Sequence, residues 1–378
     1  MLSRRSFVSG FAAGALAVCG CRRKASGFSG FAFVANAEGS AVAAVDLESF
    51  AVDRHIRLDA NPTQVIANAS SGRVYALTPA SGCIHEIRTD TLAFSRKVQV
   101  AESAVTMRQS SDGRLLIALC REPRDVVFVD ARSLRVVART PLPRTPLDMD
   151  LSQDGRWIAV SYGPEQAISI FAVDDRRDAE LLSCRGEIGA VRFRWDSKCL
   201  IAADLSRRML SLFDVPGRAA MVDLPLAIRP DCLCFNANGG QLFISGEGAD
   251  VVAVVYPYYT PEVAETLLAG HSPGAMAAST SPAYLFIANR KSGDVTIMDI
   301  DTRKVIAVTP VGTNPNFIAI TPDSNYALVL NETSGDMAVI RTGSIVRLVA
   351  ERWRSRRGAL FMMIPVGSKP VSAAVTPI

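Results

Sequence analysis

The chain has 378 residues, 49% of them apolar and 21% charged, with a formal charge of +4. That length admits two or three ordinary domains, yet repeat folds and large all-β folds reach it as one unit. With the N-terminal Arg4 and Arg5 set aside the balance is +2, too small for a nucleic-acid footprint, and no apolar run reaches the roughly 18 residues of a membrane-spanning helix.

Residues 3 to 9, "SRRSFVS", resemble the twin-arginine export motif, with Ser9 where that motif usually carries Lys. The apolar stretch "FAAGALAV" follows, long enough for a signal peptide and too short to cross a bilayer. It ends in Val18-Cys19-Gly20-Cys21, which resembles a bacterial lipobox. The small residue before Cys21 makes that cysteine the better candidate for acylation than Cys19. The resemblance implies a signal over 1–20, a lipid-bearing Cys21 with a short linker over 21–30, and delivery to the periplasm or outer cell envelope. Two acyl chains give stable anchoring where one is marginal.

From residue 31 onward the chain repeats itself. Asn289-x-x-Ser-Gly-Asp returns as Asn331-x-x-Ser-Gly-Asp, 42 residues later. One column runs Asn36, Thr78, Cys120, Tyr162, Asp204, Gly246, Asn289, Asn331, and a second runs Asp46, Arg88, Asp130, Ala172, Asp214, Tyr256, Asp299, Arg341. Both keep a 42-residue spacing with a single step of 43. A third column is a turn residue before the next strand, Pro at 62, 146, 230, 273, 315 and 370, with Ala104 and Ile188 filling the gaps. Short β-branched runs and Asp-Gly or Asn-Gly turns between columns read as four strands per unit. A period of this size built from four strands predicts an all-β fold, a β-propeller. Both columns count eight blades, against an alternative of seven. The first unit lacks its leading strand and the chain ends on an unpaired one, "KPVSAAVTPI", so residues 369–378 should close the ring beside residues 31–36.

The units "YLFIANRKSGDVTIMDIDTRKVIAVTPVGTNPNFIAITPDS" and "FAFVANAEGSAVAAVDL" resemble the YVTN-type β-propeller repeat family, and the likeness spans roughly residues 31–378. It implies a single propeller domain and leaves the function open, because the signature residues make turns and cores.

Six cysteines remain, at 83, 120, 184, 199, 232 and 234, inside apolar runs. They read as buried thiols, since a core this large needs no disulfides and twin-arginine export carries proteins folded in a reducing compartment. Without a C-x-x-C-H motif or ligand-rich spacing, the sequence calls for no cofactor or metal.

In a propeller the loops that enter the innermost strands share one channel mouth with the loops between second and third strands. By that map Arg144, Glu187, Arg229, His271, Asn314 and Lys369 gather at the mouth with Asn61 and Glu102, alongside Arg121, Arg124, Arg207, Arg208, Arg290 and Lys291. Of the three histidines, only His271 maps there. One feature breaks the period: Pro315 to Pro370 spans 55 residues, and the excess falls in a basic insertion at 342–358 with five Arg and one Glu. Ile345, Leu348, Val349 and Trp353 would form one apolar stripe if that segment were helical, able to meet an anionic lipid surface or a partner's groove. The alternative is a hairpin extension packed on its own blade.

Three functions stay open. The favoured one is an exported, lipid-anchored, monomeric propeller that binds a cell-envelope protein or surface ligand without catalysis, using Arg144, Arg229, His271, Asn314, Lys369, Arg352, Trp353 and Arg354. The second is a lactonase-type hydrolase at the mouth, with Glu187, Arg229 and His271 as candidates. The third is a redox-enzyme propeller subunit.

Overall fold

The computed structural model describes residues 27–174, 179–258, 260–345 and 359–377. Each sequence repeat becomes a four-stranded antiparallel sheet, and eight such sheets form the blades of a β-propeller. With strands numbered β1 to β32 in chain order, an ordinary blade uses four in succession. Blade two, for example, runs outward as β4 (Gln64–Asn68), β5 (Arg73–Thr78), β6 (Cys83–Arg88) and β7 (Ala93–Gln99). Blade one is assembled from both chain ends: β32 (Pro370–Pro377) is its inner strand, followed by β1 (Gly30–Asn36), β2 (Ala41–Asp46) and β3 (Ala51–Arg57). The β32–β1 register runs from Gly30 opposite Pro377 to Asn36 opposite Pro370, so the ring closes with eight blades.

The second sequence column marks the last residue of every third strand, from Asp46 in β2 to Arg341 in β30 (Asp336–Arg341). The Asp side chains there cap the following turn: Asp130 accepts from Ser133 N at 2.7 Å and Asp299 from Thr302 N at 2.7 Å. Middle strands are apolar on both faces because each blade is sandwiched between two others. Along β1, Ala32 and Val34 pack with Leu328, Leu330 and Met337 of blade eight. Phe33 and Ala35 point the other way, onto Val74, Ala76 and Ile87 of blade two. This period-two alternation buries each such side chain, worth about 1.5–3 kcal/mol for a residue like Phe33. Outer strands have one neighbour fewer and are mostly exposed, as in β3.

The repeated Asn-x-x-Ser-Gly-Asp locks loops together. The Asn289 amide donates to Asp294 Oδ1 at 2.7 Å, and the Asn331 amide to Asp336 Oδ1 at 2.6 Å. Gly293 and Gly335 take left-handed φ of 68° and 72°, which glycine adopts without strain. Ser292 and Ser334 accept from His271 N and Thr313 N in the loop entering the same blade. That loop lies flat on the Asn: a Cβ on Gly312 would stand 2.6 Å from Asn331 Cγ, and one on Gly270 would stand 2.4 Å from Asn289 Nδ2. Gly312→Ala is therefore expected to lower stability by about 1–3 kcal/mol through overpacking, read as a lower urea midpoint; an unchanged midpoint would contradict this reading of the motif.

Strand direction sorts the loops to two ends. The mouth end holds Ala37 N donating to Lys369 O at 2.8 Å and Glu332 N donating to Asn314 O at 3.0 Å. The opposite end holds the turns between first and second strands and between third and fourth, where Thr342 N donates to Asn325 O at 3.0 Å. The basic insertion belongs to that opposite end, since it joins β30 to β31 (Leu360–Pro365). Its residues 342–345 are helical, and Ile345 is buried in the core of its own blade with Val329 and Ile340. Leu348, Val349, Arg352, Trp353 and Arg354 lie outside the described residues, as do Cys21 and residues 1–20, where the sequence suggests a signal. Gly27 also sits at this end, against Leu47 and Glu48.

Candidate functional site

The mouth is built as a ring of latches, in which the loop entering one blade pairs with a loop between second and third strands nearby. Arg144 Nη1 donates to Glu165 O at 3.0 Å, and Glu187 N donates to Ser206 Oγ at 2.9 Å. Arg229 pairs with Asp231 at 2.7 Å and with Glu247 at 3.1 Å. His271 Nδ1 meets Asp250 Oδ2 at 2.8 Å, and the backbone N of Ser272 with His271 holds the Asp250 carboxyl below the usual range. Asn314 donates to Glu332 at 3.0 Å, and Lys369 pairs with Glu38 at 3.0 Å. The structure thus brings these sequence-predicted residues to one mouth, each engaged with its own latch partner. Glu187, Arg229 and His271 occupy successive loops; Glu187 acts electrostatically on Arg229, while the His271 backbone N donates to Ser292 Oγ and its ring bonds Asp250.

Two cavities open among these loops. One of about 960 Å³ lies at blade three, between Glu102, Arg121, Arg124 and Thr145. The other, of about 620 Å³, lies at the seam of blades eight and one, between Glu38, Glu332, Ser334 and Lys369.

Below the mouth the channel carries a polar network that sequence reasoning missed. Each inner strand presents its unpaired edge to the channel, and in blades two, three and five side chains from the preceding blade accept from its N–H groups. Ser372 Oγ accepts from Val65 N at 3.3 Å, and Gln64 Oε1 accepts from Met107 N at 2.8 Å. Between β12 (Asp148–Leu151) and β16 (Ile188–Phe193), Asp148 accepts from Val191 N at 3.2 Å and Asp150 from Phe193 N at 2.8 Å. Arg192 Nη1 bonds Asp148 Oδ2 at 2.6 Å, and Arg108, on β8 (Ser103–Gln109), lies 3.6 Å from Asp148 and 3.7 Å from Asp150.

These four side chains are 18–30% exposed. Burial raises the Asp150 pKa against the pull of Arg192 and Arg108, and burial lowers that of Arg108. Burial also opposes the charge of Arg192, but Asp148 and Asp150 more than offset it and its pKa goes up. The signal was available at one repeat column: Arg108, Asp150 and Arg192 recur at 42-residue steps, followed by Cys234. Cys232 and Cys234, on β20 (Cys232–Phe235), are half-buried, and all six described cysteines are unpaired. Burial pushes the Cys234 thiol up to about 12. Among the described residues no group of three or more His, Cys, Asp or Glu is placed to hold a metal ion.

No family model and no curated protein matches this chain. Solved structures share the fold. Dihydro-heme d1 dehydrogenase NirN in complex with DHE is similar at 14% identity and a TM-score of 0.72, over 91% of this chain and 75% of that one. A functionally unknown protein from Desulfotomaculum acetoxidans aligns at 9% identity and 0.62, over 92% and 99%. Kuenenia stuttgartiensis hydrazine synthase aligns at 15% identity and 0.57, over 86% and 99%. Likeness at such identities establishes a shared β-propeller and nothing finer.

Proposed function

We propose that this is an exported, lipid-anchored propeller that binds an envelope ligand at its channel mouth without turning it over. The observation that carries the reading is the mouth itself: polar groups fixed in pairs around two cavities of about 960 and 620 Å³. Such preorganisation favours binding. Placement of the two ends supports an orientation. Gly27 lies six positions after Cys21, a tether of at most about 21 Å, and the basic insertion leaves from the same end, opposite the mouth. Anchor and arginines then face the lipid and the mouth faces away from it.

The test uses full-length protein. Cys21→Ser should release it to the soluble fraction, and Arg4 with Arg5 changed to Lys should strand precursor in the cytoplasm. Changing Arg352, Trp353 and Arg354 to Ala should weaken association with vesicles containing anionic lipid by about tenfold or more, since each arginine near such a surface contributes about 1 kcal/mol. Thermal unfolding should hardly change. Unaltered vesicle association and an unmodified N-terminus downstream of Cys21 would sink the anchored reading.

The redox-subunit reading draws on the fold shared with NirN and hydrazine synthase. Protein purified from its native envelope with a stoichiometric visible absorbance band would favour it over simple binding.

A further inference from the structure

One turn at the end opposite the mouth carries a residue that its repeat does not call for. The tip of the turn between first and second strands holds Ala69, Ser111, Gln153, Ala237, Thr280 and Pro322 in six of the blades. In blade five it holds Trp195, which is 42% exposed. An indole left in water at a turn tip forgoes burial that a small or polar residue would not miss. The neighbouring blade nevertheless holds it in place. The Gly239 turn of blade six lies against the ring: a Cβ on Gly239, whose φ is 70°, would stand 2.2 Å from Trp195 Cγ. Arg194 clamps the chain just before it. Its Nε and Nη2 bond the two Asp196 oxygens at 3.0 and 2.7 Å, Nη1 donates to Pro257 O of blade six at 2.7 Å, and the guanidinium lies 4.6 Å from the Tyr258 ring centroid. Trp195 and Tyr258 thus share one fixed aromatic ledge across the turns of blades five and six.

The ledge shares its end of the propeller with the chain that leads back to Cys21, which enters at blade one where Gly27 sits against Leu47 and Glu48. The basic insertion of blade eight leaves from that end too. In a closed ring of eight, blade five stands four blades from blade one in either direction, on the far rim. A tether of up to about 21 Å at blade one would let the propeller tip; a second contact across the ring would hold it level. We propose that Trp195, backed by Tyr258, is a lipid contact that enters the headgroup boundary of a membrane and keeps the mouth facing away from it. Indole and phenol rings favour that boundary because each joins an apolar body to a polar tip. Charges near the ledge are mixed, with Arg156 and Lys198 beside Asp154 and Asp196, so this rim brings aromatic surface and the cationic attraction belongs to the insertion. The inference rests on the anchored reading for its orientation, and the experiment separates the two.

Two measurements test it. Partition of the full-length Cys21→Ser protein onto vesicles of phosphatidylglycerol and phosphatidylethanolamine needs no acyl chain, so it reads the protein surface alone. Trp195→Ala should weaken that partition by roughly tenfold, the worth of returning the exposed part of an indole from lipid to water. In the second measurement, wild-type protein on the same vesicles and Cys21→Ser protein in buffer are oxidised by hydroxyl radicals, and the products are located by peptide mass spectrometry. Oxidation of Trp195 relative to His271, which is exposed at the mouth, should be largely lost on the vesicles. That comparison needs no substitution at the ledge, so a poorly folded Trp195→Ala protein would still leave the proposal exposed to failure. An unmodified N-terminus in the wild-type protein would remove the anchor and leave the partition test standing. Partition that is absent or indifferent to Trp195→Ala, or Trp195 oxidised as readily on vesicles as in buffer, would overturn the lipid contact.

Discussion

Deletion of residues 369–378 is expected to abolish cooperative folding and leave aggregating protein. β32 supplies the inner strand of blade one, and its loss strips the whole Gly30–Asn36 ladder from β1. It also removes Ser372 Oγ from Val65 N and uncovers cores shared with blades eight and two. A ladder of that length, at about 1 kcal/mol net per hydrogen bond, together with the lost apolar burial, rivals the ~5–15 kcal/mol that holds a typical domain folded. The exposed edge of β1 would then template association. A circular permutant that places β32 directly before β1 keeps every strand while moving the chain break, and it should unfold as one transition near the parent midpoint. A truncated chain that stays monomeric and equally stable, by light scattering and urea unfolding, would contradict closure by this strand.

The second large effect belongs to the channel network. Arg192→Met removes the 2.6 Å partner of Asp148, leaving that carboxylate with Val191 N at 3.2 Å and Arg108 at 3.6 Å. Leaving a buried charge uncompensated costs about 3–5 kcal/mol, and some channel water will blunt this, so a loss of about 3 kcal/mol is expected. Asp148→Asn alone should cost less, because the amide oxygen can still accept from Val191 N. The double variant should recover part of the loss, giving a coupling of about 1 kcal/mol or more in a double-mutant cycle. Strict additivity with small single effects would show that the quartet is held by solvent and contributes nothing to the fold.

The ring itself was legible in the sequence because each blade repeats the same geometric demands. The Asp column recurs since a turn must be capped after each third strand, as at Asp46, Asp130 and Asp299. The mouth residues were legible for the same reason, as loops at fixed positions in the repeat. Their pairing was not, because Arg229 with Glu247 and Lys369 with Glu38 join two loops of one blade through residue types that change from blade to blade, so no repeated residue announces the pair. Left-handed non-glycine turn residues such as Phe50, Leu134 and Arg303 also escaped notice; their backbone is forced by the hairpin, with no glycine to announce it. The Arg-Asp-Arg column at 108, 150 and 192 was hidden because blades four and five depart most from the repeat, and departure there reads as decay until the channel is seen. The placement of insertion and mouth at opposite ends followed only from strand direction in the finished blade.

The measurement that bears most directly on the central claim is native mass spectrometry of the detergent-solubilised full-length protein incubated with a panel of lactones and with small molecules extracted from its source cells. One spectrum series reads both adducts and products. The expected result is a ligand retained at unchanged mass, weakened by mouth substitutions such as Arg290→Gln, with no product above the buffer control. Appearance of ring-opened lactone that vanishes on His271→Ala would contradict the binding account and make the mouth an active site.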